Sequence, residues 1–299
     1  MSVIESAAAP AVTSDLTADA VTSSRLRPPR LLVTAGLTLV TLAFVYPLWW
    51  LVSASLKDRA HVFGNALLPT PFSPANYLRV WRATQLLTWM SNSVAVGVAA
   101  AVAVTLSSAL VAFGFARFHF RGRNIAFGLV LASMMLPGAV TMVPVYLEWN
   151  AVGLATTQIP LWAQNLFGSG FYIFLLRQFF LGLPSEVFDA AKMDGAGNWR
   201  LFRSIALPLA RPALIVVFVF ELKSSWTDLV KPLIYLREPD LYTVPRGLKA
   251  VLDRFGEGGE AQWEIVLAAS VIATVPMILL FLVAQRYFVR GAVTQHTEQ

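Results

Sequence analysis

Three stretches of this chain are too long and too apolar to fold in water. Residues 31–55 (LLVTAGLTLVTLAFVYPLWWLVSAS), 91–116 and 265–285 hold no charged side chain. A helix needs about 20 mostly apolar residues to cross the hydrocarbon core of a bilayer. Lipid offers the backbone no hydrogen bonds, so such segments become helices or closed barrels. A barrel would read as short segments of alternating polarity, and this sequence does not. Only 13% of residues are charged, against about 25% in soluble domains. The expected fold class is an all-α integral membrane protein.

Six transmembrane helices can be drawn, over residues 31–55, 91–116, 124–146, 159–176, 213–236 and 265–289. Pro137-Gly138 interrupts the third; a kink that lines a cavity and a simple packing defect both fit. Residues 1–24 are small and polar, with Glu5, Asp15 and Asp19 but no Lys or Arg. That composition suits a disordered tail and lacks the basic start of a secretory leader. The expected organisation is a tail over 1–30, a membrane domain over 31–290 and a short tail over 291–299. A polar hairpin at about 184–212 lies between spans four and five.

The net charge of +6 raises the possibility of nucleic acid. No basic stripe carries interleaved aromatics, so nucleic-acid binding is not expected. The bases instead gather at helix ends. With the N-terminus inside, thirteen fall in cytoplasmic segments: Arg25, Arg27, Arg30, Arg117, Arg121, Arg123, Arg177, Lys192, Arg200, Arg203, Arg211, Arg286 and Arg290. Eight fall in the longer outer loops. The positive-inside rule then places both termini in the cytoplasm. There is no cysteine, and His61, His119 and His296 are isolated. A metal site is therefore not expected, and no nucleophile–base cluster suggests catalysis.

The hairpin reads EVFDAAKMDGAGNWRLFRSIALPLARP, residues 186–212. Ser185 is a plausible N-cap, and Glu186 and Asp189 stand in the first turn, where the helix dipole favours negative charge. Val187, Ala190 and Ala191 share a face that another surface could approach closely. Gly195 is suited to a left-handed C-cap. A second helix is expected over about 198–207, with Trp199, Phe202 and Ile205 on one side, closed by Pro208 and Pro212. On these grounds alone the hairpin fits a docking element or an amphipathic segment on the lipid surface.

The stretch DAAKMDGAGNWRLFRSIALPLARP resembles the coupling motif of ABC-importer permeases: Glu-Ala-Ala, three residues to Gly, then Ile-x-Leu-Pro. Ala190, Ala191, Asp194, Gly195, Ala196, Leu207 and Pro208 match, and Asp189 replaces the usual Glu. FHFRGRN, MMLPGAVTMVPVY, SWTDLVKPLIYL and VPMILLFLVAQRYFVRG are similar to segments of carbohydrate-uptake permeases. The likeness is to the second permease subunit of maltose-type sugar importers.

The resemblance implies the type I ABC-importer permease fold and a subunit of a bacterial cytoplasmic-membrane complex. Its partners would be a second permease subunit, a cytoplasmic ABC ATPase dimer, an extracytoplasmic sugar-binding protein, the sugar substrate and membrane lipid. ATP and Mg would be bound by the ATPase, and this chain would hold no cofactor. The chain has no G-x-x-x-x-G-K-[ST] phosphate loop, in keeping with that division. Glu186, Asp189, Ala190, Ala191, Asp194, Gly195 and Ala196 would form the ATPase-coupling element. A secondary transporter or channel for a small polar solute is the alternative.

Span five is unusually polar, with Glu221, Lys223, Ser224, Ser225, Trp226, Thr227, Asp228 and Lys231. A charge at the bilayer centre costs at least about 2.5–3.5 kcal/mol on insertion scales. Glu221, Ser225 and Asp228 are expected on one helical face, with Lys231 able to pair with Asp228. They would line a sugar pathway or tie helices together; Lys223 and Lys231 can also snorkel. Thr227, Lys231, Glu221 and Lys223 depart from the family pattern, which fits a particular substrate, a charged one included. Trp162, Gln164 and Asn165 in span four suit sugar contact, although Trp162 equally suits the membrane interface.

Overall fold

The structure, a computed structural model, describes residues 30–256 and 261–293, with backbone alone for Arg30 and 286–293. Residues 1–29 of the tail expected over 1–30, residues 257–260 of the last loop, and 294–299 lie outside the described residues, and Arg30 already belongs to α1. So do the side chains of Arg286 and Arg290. The chain divides into two compact units, residues 1–47 and 48–299. Helix α1 (Arg30–Ser55) matches the first expected span. Within the first unit, the Thr38 and Thr41 hydroxyls donate to the carbonyls of Thr34 and Leu37 one turn back. Each hydroxyl is thereby satisfied inside an apolar helix.

In the second unit, the last turns of α1 lead into a tight loop. Lys57 is 1% exposed, and its Nζ donates to the carbonyls of Gly64 at 3.2 Å and Ala66 at 2.6 Å. Asn76, at the start of α2 (Ala75–Ala83), donates through Nδ2 to the carbonyls of Ser55 and Lys57. Helix α3 (Leu86–Arg117) has 32 residues and is about 48 Å long. It starts five residues before the expected span. Ala100, Ala101, Ala109 and Ala112 on α3 are fully buried, so neighbouring helices approach its backbone closely.

The next expected spans are broken. Helices α4 (Arg123–Ser133) and α5 (Gly138–Ala151) meet at 98°. Pro137 holds extended backbone (ψ 132°) between them, since it cannot continue the hydrogen-bond ladder. Span four is α6 (Ile159–Ala163), a 3-10 turn at Gln164–Phe167, and α7 (Gly170–Leu181). The hairpin comprises α8 (Ser185–Met193), α9 (Asn198–Leu201), a π turn at Phe202–Ala206 and α10 (Leu207–Leu209). Span five is α11 (Arg211–Thr227) and α12 (Val230–Tyr235). Amphipathic α13 (Val244–Phe255) precedes α14 (Trp263–Val293). Among the described residues, four helices are long and apolar enough to cross a membrane, or six if each bent pair counts as one span.

Two apolar cores form, one toward each end of α3. The first gathers Leu86, Trp89, Leu161, Trp226, Tyr242, Val251 and Ile265. The second gathers Phe113, Leu176, Phe180, Phe188, Leu201, Phe202 and Val217. Between them lies a polar layer in which Ser107, Asn165 and Glu221 are joined by hydrogen bonds, with Ser108 bonded to Ser169 beside them.

Candidate functional site

The polar layer is organised by the break in span four. The 3-10 turn ends at Gly168, whose φ of +80° suits glycine. Groups around the break bond to α3: Ser107 Oγ lies 3.0 Å from the Asn165 carbonyl, which also accepts from the Gly168 N–H, and the Ser169 N–H donates to Ser108 Oγ at 3.2 Å. Asn165 Nδ2 donates to Glu221 Oε1 at 2.6 Å and to the Ala100 carbonyl at 3.3 Å. The Tyr172 hydroxyl also lies beside the Glu221 carboxylate. The half-buried charge on α11 is thus held by neutral donors.

A cleft opens next to this layer, lined by Val96, Glu221, Ser225, Asp228, Lys231 and Thr243 among others. Glu221, Ser225 and Asp228 do meet there, but not on one helical face. Helix α11 ends at Thr227, and Asp228 has extended backbone (ψ 116°). Pro232 four residues later contributes to the break, because the carbonyl of Asp228 has no N–H to accept there. Asp228 Oδ1 instead accepts from the N–H groups of Val230 at 3.0 Å and Lys231 at 3.2 Å, a turn that asparagine and aspartate favour. The expected Asp228–Lys231 pair forms at 3.7 Å. The cleft encloses about 20 Å³, room for a water but not for a sugar ring.

The remaining span-four candidates separate. Gln164 lies beside the Tyr235 hydroxyl, whereas Trp162 is half-buried against the first apolar core. Pro137 and Gly138 are exposed and do not line this cleft. Sequence reading missed Thr243: it is 2% exposed, lines the cleft and leaves its hydroxyl without a partner. It also missed the clamp that holds Thr243 in place. Trp89 Nε1 donates to the Pro239 carbonyl, Asn92 to those of Asp240 and Tyr242, and Gln158 to that of Leu241. Ser93 Oγ accepts from the Val244 N–H. Asn92 and Ser93 at the start of an apolar span were the available signal.

The hairpin is built as a rigid turn. The Ala196 N–H donates to the Ala191 carbonyl and the Gly195 N–H to that of Lys192, both at 2.9 Å. This is a Schellman closure, with Gly195 at φ +78°. Pro184, not Ser185, occupies the N-cap position, and Ser185 is the first helical residue. Phe188 buries itself in the second core, flanked by Ala191 and Ala196. Glu186, Val187, Asp189, Ala190, Asp194 and Gly195 remain exposed, and Asp189 pairs with Lys192 at 3.2 Å. The second helix differs from expectation. Its π turn shifts the inward face to Leu201, Phe202 and Ala206, and leaves Trp199 64% exposed.

Residues 106–293, which contain the polar layer from Ser107 onward, the cleft from Leu161 onward and the whole hairpin, match the family described as binding-protein-dependent transport system inner membrane component. The chain belongs to that family. This inner membrane component is 32% identical over 265 residues to an arabinooligosaccharides transport system permease protein of Halalkalibacterium halodurans, covering 87% of this chain and 93% of the relative. It is 30% identical over 265 residues to a diacetylchitobiose uptake system permease protein of Streptomyces coelicolor, covering 88% and 87%. It is also 30% identical over 260 residues to an sn-glycerol-3-phosphate transport system permease protein of Yersinia pestis, covering 84% and 92%. Its fold is that of a chain in a bacterial ABC transporter involved in import of the acidic polysaccharide alginate, with TM-score 0.77, 23% identity, and 87% and 96% of the two chains covered.

Proposed function

We propose that the chain is a permease subunit of an ATP-driven importer for saccharide-like solutes, supplying half of a translocation pathway. The observation that carries this reading is the hairpin: a Schellman-locked helix that buries Phe188 and presents Val187, Ala190, Asp189 and Asp194 outward. A lipid-surface helix would turn its apolar side outward toward the bilayer. Here Phe188 of α8 faces the protein instead, and Val187, Asp189, Ala190, Met193 and Asp194 face outward, a mixed surface suited to a protein cleft. Glu186 through Ala196 form the coupling element, and a cytoplasmic ATPase dimer holding ATP and Mg drives it. That places the hairpin and both termini inside, in line with the distribution of bases. The relatives' transport of oligosaccharides and a polyol phosphate supports the solute class.

The cleft supports the same reading. Glu221, Ser225, Asp228 and the unpartnered Thr243 hydroxyl line it, a donor–acceptor set suited to hydroxyl-rich solutes. Its small volume suits one wall of a path completed by a second permease chain. A binding protein would deliver solute at the far end from the hairpin. The test is uptake and binding-protein-stimulated ATP hydrolysis by the chain assembled with its ATPase and second permease in nanodiscs. Saccharide uptake that proceeds without ATP or ATPase would sink the proposal in favour of a secondary transporter.

A further inference from the structure

Two arginines sit together at the hairpin end of the bundle without a counter-ion. Arg123 is the first residue of α4, and Arg177 lies one turn before the end of α7. Their guanidinium groups are within electrostatic reach of one another. The Arg177 guanidinium lies over the Phe127 ring, 4.2 Å from its centroid, and Phe127 is one turn along α4 from Arg123. Phe127 in turn packs edge-on against Phe115. Both arginines are half-buried, and both Nε atoms are buried without an acceptor. Neither guanidinium forms a hydrogen bond or ion pair among the described residues.

Two adjacent cations with unmet donors invite an anion. Gly122 offers no side chain to cap α4, so the first amides of that helix add to the positive field. The surroundings specify the rest of the ligand. Ile125 and Leu129 on α4, Phe174 and Leu181 on α7, and Phe120 in the connecting loop are exposed. Phe174 and Leu181 stand one turn before and after Arg177 on the same face of α7, an exposed apolar strip beside the charge. Arg123 opens α4 and Arg177 lies one turn before the end of the candidate span Ile159–Leu181, positions from which long basic side chains reach lipid headgroups.

We propose that Arg123 and Arg177 form a headgroup site for an anionic phospholipid, with the phosphate against the two guanidinium groups and an acyl chain along Phe174 and Leu181. The site is separate from the cleft and the coupling surface of the hairpin, so it does not depend on the solute transported. Native mass spectrometry of the full chain in detergent, titrated with phosphatidylglycerol or phosphatidylcholine, tests it. Wild type should retain phosphatidylglycerol over phosphatidylcholine by about tenfold. Arg123→Gln with Arg177→Gln should abolish the preference, and Arg200→Gln with Arg203→Gln, on the exposed hairpin, should keep it.

Equal loss in both double variants would mean bulk charge alone and overturn the site. Inorganic phosphate that displaces phosphatidylglycerol would show that a free anion suffices and overturn the lipid assignment. If the first double variant does not fold, the single variants decide. Arg177→Lys should keep most of the preference and Arg177→Gln should lose it; identical behaviour of the two overturns the proposal.

Discussion

Asn165 and Glu221 are joined across 2.6 Å, binding the unwound middle of span four to α11. The same amide reaches the Ala100 carbonyl of α3 at 3.3 Å, so one side chain ties three spans together. The tie lies between the two apolar cores and adds a polar link to the packing of Leu222 on α11 against Gly97 on α3. A bond to a charged acceptor contributes more than a neutral one.

Replacing Glu221 therefore has two separable effects. Glu221→Ala leaves the Asn165 amide short of an acceptor and should destabilise the chain by about 1–3 kcal/mol. Glu221→Gln keeps an acceptor and should retain most of that stability. If Glu221 also lines the path, both variants change substrate affinity. Thermal melting of the purified chain beside uptake in the assembled transporter separates the two. Unchanged uptake in both variants would make Glu221 a packing element.

Asp228 makes a comparable prediction about the break in span five. Its Oδ1 accepts from the Val230 and Lys231 amides, and an asparagine oxygen can do the same. Asp228→Asn should melt within about 1 kcal/mol of wild type, while Asp228→Ala should lose about 1–3 kcal/mol. Asp228→Asn removes the charge that faces Lys231 in the cleft, so its effect should appear in substrate range. A fully normal uptake profile for Asp228→Asn would remove the charge from the mechanism.

Gly247 on α13 lies against Trp89, and a Cβ there would clash with Cε3 and Cδ2 of the indole. Trp89 is 5% exposed and donates to the Pro239 carbonyl, so it has nowhere to retreat. Gly247→Ala should cost about 1–3 kcal/mol through overpacking and loosen the Pro239–Thr243 clamp. Increased amide hydrogen exchange over residues 239–247 is the signature. Protection equal to wild type would show that the indole can move.

Gly195 has open space where a Cβ would stand but a φ of +78°, so its constraint is backbone conformation alone. Asparagine tolerates that region and valine does not. Gly195→Asn should keep ATPase co-purification, and Gly195→Val should lose it at a local cost of about 1 kcal/mol or more. Gly195→Asp, with an extra charge beside Asp194, should abolish uptake while the chain still inserts. Normal coupling in Gly195→Val would indicate that the turn geometry is not read by a partner.

Length and apolarity determined the membrane helices. The stretch at 31–55 and the run through α3 could be read directly, since in lipid a long uncharged run has no alternative to helix. Turn chemistry was equally local: Gly195 and the Asp228–Lys231 pair follow from a few neighbouring residues. The breaks were decided elsewhere. The break after Asn165 is met by Ser108 on α3, which accepts the Ser169 N–H, and span five bends at Asp228, whose carboxylate accepts the Val230 and Lys231 amides. Thr243 became a cleft residue only through Asn92, Ser93 and Gln158, which lie far from it in sequence. Periodicity describes what a helix can bury. Which polar group meets which depends on long-range packing, and that information exists only once the helices are assembled.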